Sequence, residues 1–232
     1  MRVQRVRITY ARGDQARELS HLETMRGLEQ GMRSVGLPLA YSEGPRPAPQ
    51  VSIALPLPVG ATSDCELADV YLSERVPAAE LLAALRPALP AGLEALAAEE
   101  VGLAVPALQT QVRWAEYEVD VPVGGRSAAE VRAAVSGLLG ARSWPWEHQR
   151  TAKLQRYDLR PLVVDLRLEA EGEGVHRLVM RLRVSQERSG RADQIVAALG
   201  LEPPLRVHRR RLYVEETSPA VQAYRRLGER ED

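Results

Sequence analysis

The sequence predicts an α+β fold made of two tandem ferredoxin-like, split βαβ units with antiparallel sheets. Three observations carry this. Period-two apolar segments alternate with amphipathic segments in the order strand, helix, one or two strands, helix, strand, and that order occurs in each half of the chain. Each half contains an S-x-x-E capping box opening its first helix, Ser20 with Glu23 and Ser127 with Glu130. The 232 residues suffice for two small domains, each with its own core. A single larger α+β domain would share the same elements.

In the first half, Val3, Val6, Ile8 and Tyr10 alternate within 2–11 and predict a strand. A helix follows from Ser20, with Leu22, Met25, Leu28, Met32 and Val35 as its apolar stripe, until Gly36 stops it. Residues 37–42 are a short candidate strand, and 43–50, with Pro45, Pro47 and Pro49, a stiff loop. Strands are expected over 51–57 and 65–72, a helix over 77–89 with Pro77 at its start and Pro87 ending or kinking it, and a weak strand over 93–101. Residues 1–104 thus form the expected first unit and 102–112 a linker.

The second unit is expected over 112–217. It comprises a strand at 117–123, a helix at 127–139, a short strand near 151–156, a hairpin of 162–169 with 175–184, a helix at 191–199 and a strand at 205–214. A charged tail, 218–232, completes the chain.

Composition excludes several classes. Hydrophobic content is 45% and formal net charge zero, so the chain as a whole is not a polyanion binder by bulk charge. No apolar run reaches the roughly 18 residues of a membrane span, and the first residues lack a signal-peptide core; a cytoplasmic protein without a membrane partner is expected. Cys65 is the sole cysteine, so no zinc or iron–sulfur pattern exists and neither metal nor cofactor is expected. Walker, G-x-G-x-x-G, G-x-S-x-G and H-E-x-x-H motifs are absent. Among 31 basic residues only Lys153 is lysine, which a compositional bias toward Arg, Ala and Leu explains as well as phosphate recognition does.

The stretch Ser20–Gly60 holds the candidate site. His21 follows the cap directly, where backbone amides favour anions; a neutral imidazole there could act as base, ligand or donor. Arg26 and Arg33, with Gln30 between them, share the polar stripe in a layout that could follow a phosphate backbone. Tyr41, Ser42, Gly44 and Arg46 belong to the segment YSEGPRPAP, a rigid lip beside the helix start. A second basic patch is expected from Trp146, Arg150, Lys153, Arg209 and Arg211, cations interleaved with aromatic rings.

The residues SHLETMRGLEQGMRSVGLPLAYSEGPRPAPQVSIALPLPVG, with YDLRPLV at 157–163, resemble a bacterial family called the radical-SAM-linked protein, or domain of unknown function 2344. Ser20, His21, Leu22, Tyr41, Ser42, Gly44, Pro47 and Pro49 agree with its pattern. Glu23 stands for its aspartate, Pro45 for an aromatic residue and Ala48 for a second histidine. The resemblance implies a companion: members occur beside, or fused to, a radical-SAM protein with a cobalamin-binding-like region. Three functions are therefore open. One is a non-catalytic accessory protein that presents RNA to such a partner, which the loss of the second histidine favours. Another is an RNA-processing or RNA-modifying enzyme with His21 as general base. The third is a small-ligand binding module whose pocket lies between the helix start and the Pro-rich loop.

Overall fold

The computed structural model describes residues 1–150, 153–172, 174–185 and 187–215. In order the elements are β1 (Gln4–Arg12), α1 (His21–Ser34), β2 (Val51–Ile53), β3 (Ala61–Leu72), α2 (Ala78–Leu85), β4 (Leu93–Val101), α3 (Leu108–Gln111), β5 (Val112–Pro122), α4 (Ala128–Gly140), β6 (Pro145–Arg150), β7 (Lys153–Asp158), β8 (Val163–Gly172), β9 (Val175–Arg183), α5 (Ala192–Ala198) and β10 (Arg206–Val214). The described residues fall into two compact units, Met1–Val112 with Val214 and Glu215, and Arg113–Tyr213. The architecture is mixed α and β with antiparallel strand pairs. No helix among the described residues is long and apolar enough to cross a membrane. The predicted tail, 218–232, lies outside the described residues.

In the first unit the strand order is β4-β1-β3 with β2 on β3, and all these pairs are antiparallel. Period-two alternation sends Val6, Ile8 and Tyr10 of β1 and Ala68, Val70 and Leu72 of β3 into one core with Leu28, Met32, Leu81 and Leu85. Each Val, Leu, Ile or Met among them contributes about 1.5–3 kcal/mol on full burial. Both predicted capping boxes form, at Ser20 and at Ser127.

The buried face of α1 differs from the predicted stripe. It consists of Thr24, Gly27, Leu28, Gly31 and Met32, while Leu22 is 64% exposed. The cause is close packing: a Cβ on Gly31 would lie 2.9 Å from Leu89 and one on Gly27 3.2 Å from Pro90. Two glycines one turn apart bring the helix against the segment after α2, and the apolar pattern cannot reveal a stripe made of absent side chains.

Other boundaries shift for local reasons. The strand expected over 51–57 ends at Ile53, because Pro56 and Pro58 cannot donate to a ladder. α2 stops at Leu85, and Arg86–Ala88, with Pro87, tightens into a 3-10 turn. The expected linker contributes α3, with Leu108 and Gln111 buried. In addition, the backbone oxygens of Val105 and Pro106 accept hydrogen bonds from Arg5, a side chain 1% exposed whose guanidinium also pairs with the fully buried Asp69. Arg7 adds a second contact to the same carboxylate at 2.9 Å.

In the second unit the sheet order is β10-β5-β9-β8, with β5/β9 and β9/β8 antiparallel. Ala115, Tyr117 and Val119 of β5 lie opposite Leu182, Met180 and Leu178 of β9, and all six are buried. The hairpin β6–β7 forms a separate two-stranded sheet where the sequence suggests only a strand near 151–156.

Candidate functional site

The candidate residues of the first unit divide into two places along α1. At the N-terminus, Ser20 Oγ accepts from the Glu23 amide at 3.3 Å, and the Glu23 carboxylate accepts from the Ser20 amide at 2.8 Å. The bond from Ser20 is the main reason the Glu23 carboxyl titrates below its ordinary range, with the neighbouring Arg26 charge adding to it. Both side chains therefore serve the cap.

His21 is half-buried and borders a small cavity of about 10 Å³ together with Tyr10, Arg12, Thr24, Ile53, Leu57 and Glu66. That volume admits at most one water. The imidazole makes no hydrogen bond to a described residue, so nothing fixes its orientation as a base. Beside it lies Arg12, 1% exposed, a residue that the sequence pattern places in the polar turn after the first strand. Its guanidinium donates to the carbonyls of Leu19 at 3.0 Å, Arg17 at 3.3 Å and Ala61 at 2.8 Å, and also to that of Pro58. Arg12 thus ties the approach to α1 to the turn before β3. Its place at the end of the alternating β1 run, where Arg12 faces Ser63 across a bulge, is the one sequence signal that could have marked it.

The second place is farther along the helix. Ser20 and Arg33 are separated by about 20 Å of helical rise, so one pocket cannot use both. Arg26, Glu29, Gln30, Arg33 and Ser34 line a shallow groove on the exposed side of α1. Neither Arg26 nor Arg33 pairs with a carboxylate among the described residues. The Arg33 guanidinium sits 5.9 Å from the centre of the Tyr41 ring, and Tyr41 is 44% exposed.

The lip beside this groove is closed by its own backbone. Tyr41 pairs with Pro49, the Ser42 amide donates to Ala48 O at 2.9 Å, and the Ala48 amide donates to Ser42 Oγ at 3.1 Å. Ser42 is therefore occupied within the loop. Gly44, at φ +120°, takes a backbone conformation that L side chains rarely adopt, and Arg46 is exposed.

Of the predicted second patch, the side chains of Trp146, Arg209 and Arg211 lie among the described residues. Trp146 belongs to the β6–β7 sheet, half-buried, with its indole N–H buried and unpaired among the described residues. Arg150 and Lys153 pair across that hairpin, and their side chains lie outside the described part. Arg209 is on β10 but fully buried: its Nε donates to Tyr117 Oη at 3.2 Å, and its guanidinium lies 5.4 Å from that ring. Simple alternation assigns Arg209 and Arg211 to one outward face, yet only Arg211 is exposed.

The cations of this unit that do reach the sheet surface meet acids. Arg177 contacts Asp120 at 2.7 Å and Glu118 at 3.4 Å, Arg206 contacts Glu118 at 2.7 Å, Arg181 contacts Glu116 at 3.5 Å, and Arg210 contacts Glu118 at 3.6 Å. The Arg177 hydrogen bond holds the Asp120 carboxyl below its ordinary range against the opposing effect of burial, with a smaller contribution from Arg206. The YDLRPLV segment is also structural. Asp158 accepts from the amides of Trp144 at 2.7 Å and Arg160 at 2.9 Å, while Arg160 donates to Leu139 O and Val163 O.

Among the described residues no group of His, Cys, Asp and Glu side chains comes together in a way that could hold a metal ion. The α1 groove brings together the Arg26 and Arg33 guanidinium groups, the Gln30 amide and the Glu29 carboxylate, with the Tyr41 ring beside Arg33.

Comparison with known proteins places the chain in a family without assigning it an activity. No curated protein sequence matches it. A solved Cbf5-Nop10-Gar1 complex aligns at 10% identity over 90% of this chain and 50% of that one, with a TM-score of 0.48. This chain therefore spans about half the length of that neighbour. An unknown protein from Galdieria sulphuraria aligns at 15% identity over 91% of this chain and 98% of that one, with a TM-score of 0.27. Likenesses at these scores carry no functional argument. The sequence itself is decisive about kinship: residues 5–192 match the model of a family described as an uncharacterized protein conserved in bacteria, DUF2344, and the chain belongs to that family.

Proposed function

We propose that this protein is a non-catalytic accessory protein that binds RNA through the exposed side of α1 and presents it to a radical-SAM partner with a cobalamin-binding-like region. One observation carries the RNA part of the reading: Arg26 and Arg33 line one groove with Gln30, and neither lies within ion-pair distance of a carboxylate among the described residues. Two guanidinium groups two helical turns apart, neither held in an ion pair, can both reach phosphates of one strand. The radical-SAM partner rests on the resemblance of the Ser20–Gly60 segment. The finer fold reading, two tandem ferredoxin-like units, is also ours; the orders β4-β1-β3-β2 and β10-β5-β9-β8 support it.

The competing readings draw less support. His21 has no orienting partner among the described residues for general-base work, and the cavity it borders, about 10 Å³, holds at most one water. The test is RNA affinity of the full chain as a function of salt, combined with co-purification with the radical-SAM protein. Binding that weakens with rising salt, that Arg26→Glu with Arg33→Glu abolishes and that His21→Ala leaves intact, is the expected result. Absence of salt-dependent affinity for any RNA removes the RNA part of the proposal.

A further inference from the structure

Tyr41 makes the RNA reading more specific. The chain is poor in aromatic residues, at 4% with no Phe. Most of its rings are buried or covered: Tyr10 is 1% and Tyr117 4% exposed, Trp114 stacks with Tyr213, and Tyr157 lies under Arg188 at 3.7 Å. Tyr41 is the one aromatic residue among the strongly exposed large hydrophobic side chains of the described residues.

Its exposure is not that of a loose loop. The backbone on one side is fixed by the Leu39–Leu72 bridge and on the other by the Tyr41–Pro49 bridge, and the Ser42–Ala48 bonds close the lip behind it. The ring is therefore held at the surface before any ligand arrives, which lowers the ordering cost of a stacking contact. Arg33 lies against it, and Arg26 is two turns away along the groove, about 10 Å by helical rise.

We infer that this surface binds single-stranded RNA, with an unpaired base stacked on Tyr41 and neighbouring phosphates held by Arg33 and Arg26. The inference rests on the RNA reading and specifies its form. A duplex presents base edges in its grooves and keeps base faces inside the stack, so Tyr41 can gain nothing from it by stacking. An unpaired strand offers every base face, and an aromatic ring beside a guanidinium accepts them with little regard to sequence. Glu29, in the wall of the same groove, repels a phosphate at its own position. The strand must therefore pass Glu29 with a base or ribose hydroxyl, which donates to the carboxylate, while its phosphates sit at the arginines on either side.

The experiment compares a short unstructured RNA, free and annealed to its complement, by fluorescence anisotropy at fixed salt with the full chain. The single strand should bind about tenfold tighter than the duplex, and Tyr41→Ala should weaken single-strand binding by about the same factor. The salt dependence of Tyr41→Ala should match that of the unaltered protein, because no charge is removed. Tyr41→Phe should restore the affinity, since a Phe ring keeps the stacking face. Equal binding of both forms, or a Tyr41→Ala protein as tight as the original, overturns the single-strand inference while loss on Arg26→Glu with Arg33→Glu keeps the RNA reading standing. Failure to bind either form overturns both.

Discussion

Arginine does different work on α1 of the first unit and on the β5–β9–β10 face of the second. On the sheet, Glu116, Glu118 and Asp120 alternate along one face of β5, and Arg177, Arg181, Arg206 and Arg210 from the flanking strands lie within ion-pair distance of them. On the helix, Arg26 and Arg33 line a groove whose acid, Glu29, pairs with neither. The sheet has more arginines, but each of these lies within ion-pair distance of a carboxylate, whereas Arg26 and Arg33 do not. Local neutralisation, and not the density of basic residues, decides which surface can attract a polyanion.

The strongest way to separate structural from ligand-facing arginine is to remove a structural partner. Asp69→Ala leaves Arg5 and Arg7 without their shared carboxylate, and Arg5 is 1% exposed. Losing one side of a buried pair costs about 3–5 kcal/mol, so urea unfolding should show a midpoint sharply lower than that of the unaltered protein. The converse variant, Arg26→Glu with Arg33→Glu, should leave unfolding within about 0.5 kcal/mol. It should nonetheless lower RNA affinity by roughly 10–100-fold and flatten its salt dependence. If the helix variant unfolds as easily as Asp69→Ala, the α1 arginines are structural and the contrast fails.

An acid titration probes the sheet face alone. The Asp120 carboxyl titrates below its ordinary range in the folded protein because Arg177 hydrogen-bonds it. A depressed folded pKa stabilises above the unfolded value, about 3.9, and that stabilisation disappears as pH falls through the folded value. Asp120→Asn should therefore cost about 1–2 kcal/mol near neutral pH, as expected for a charge-assisted hydrogen bond beside a half-exposed arginine. The difference between the thermal melts of the two proteins should begin to shrink below about pH 4 and close only below the depressed folded value. RNA affinity at neutral pH should be unchanged by the substitution.

Much of the fold was legible because it depends on local pattern. The capping boxes at Ser20 and Ser127 and the alternation of Val6, Ile8 and Tyr10 are consequences of sequence spacing, and each reappears in the structure. What escaped depends on partners distant in sequence. Leu22 is exposed because Gly27 and Gly31 admit the segment at residues 88–90, which no periodicity shows. Arg209 is buried because Tyr117, 92 positions away, receives its hydrogen bond. Arg12, in what reads as a polar turn, instead extends β1 and holds the carbonyls on either side of α1. The site was half legible for the same reason. Arg26, Gln30 and Arg33 converge through helical spacing alone, whereas the contact of Arg33 with Tyr41 requires the Pro-rich lip to fold back.

The smallest expected effect bears most directly on the contrast. Arg206→Ala with Arg210→Ala removes two of the arginines that face Glu118, at 2.7 and 3.6 Å, and both are about two-fifths exposed. Exposed pairs of this kind contribute about 0–1 kcal/mol each, so unfolding should shift little. The effect on RNA binding decides the matter. These guanidinium charges already lie against carboxylates, so a phosphate arriving there would have to displace Glu118 and meet its repulsion. Affinity should therefore stay within about twofold, with an unchanged salt dependence, in the assay where the α1 variant loses most of its binding. A loss comparable to that of Arg26→Glu with Arg33→Glu would mean that the ion pairs on the sheet open to admit the ligand. The RNA surface would then extend beyond the α1 groove.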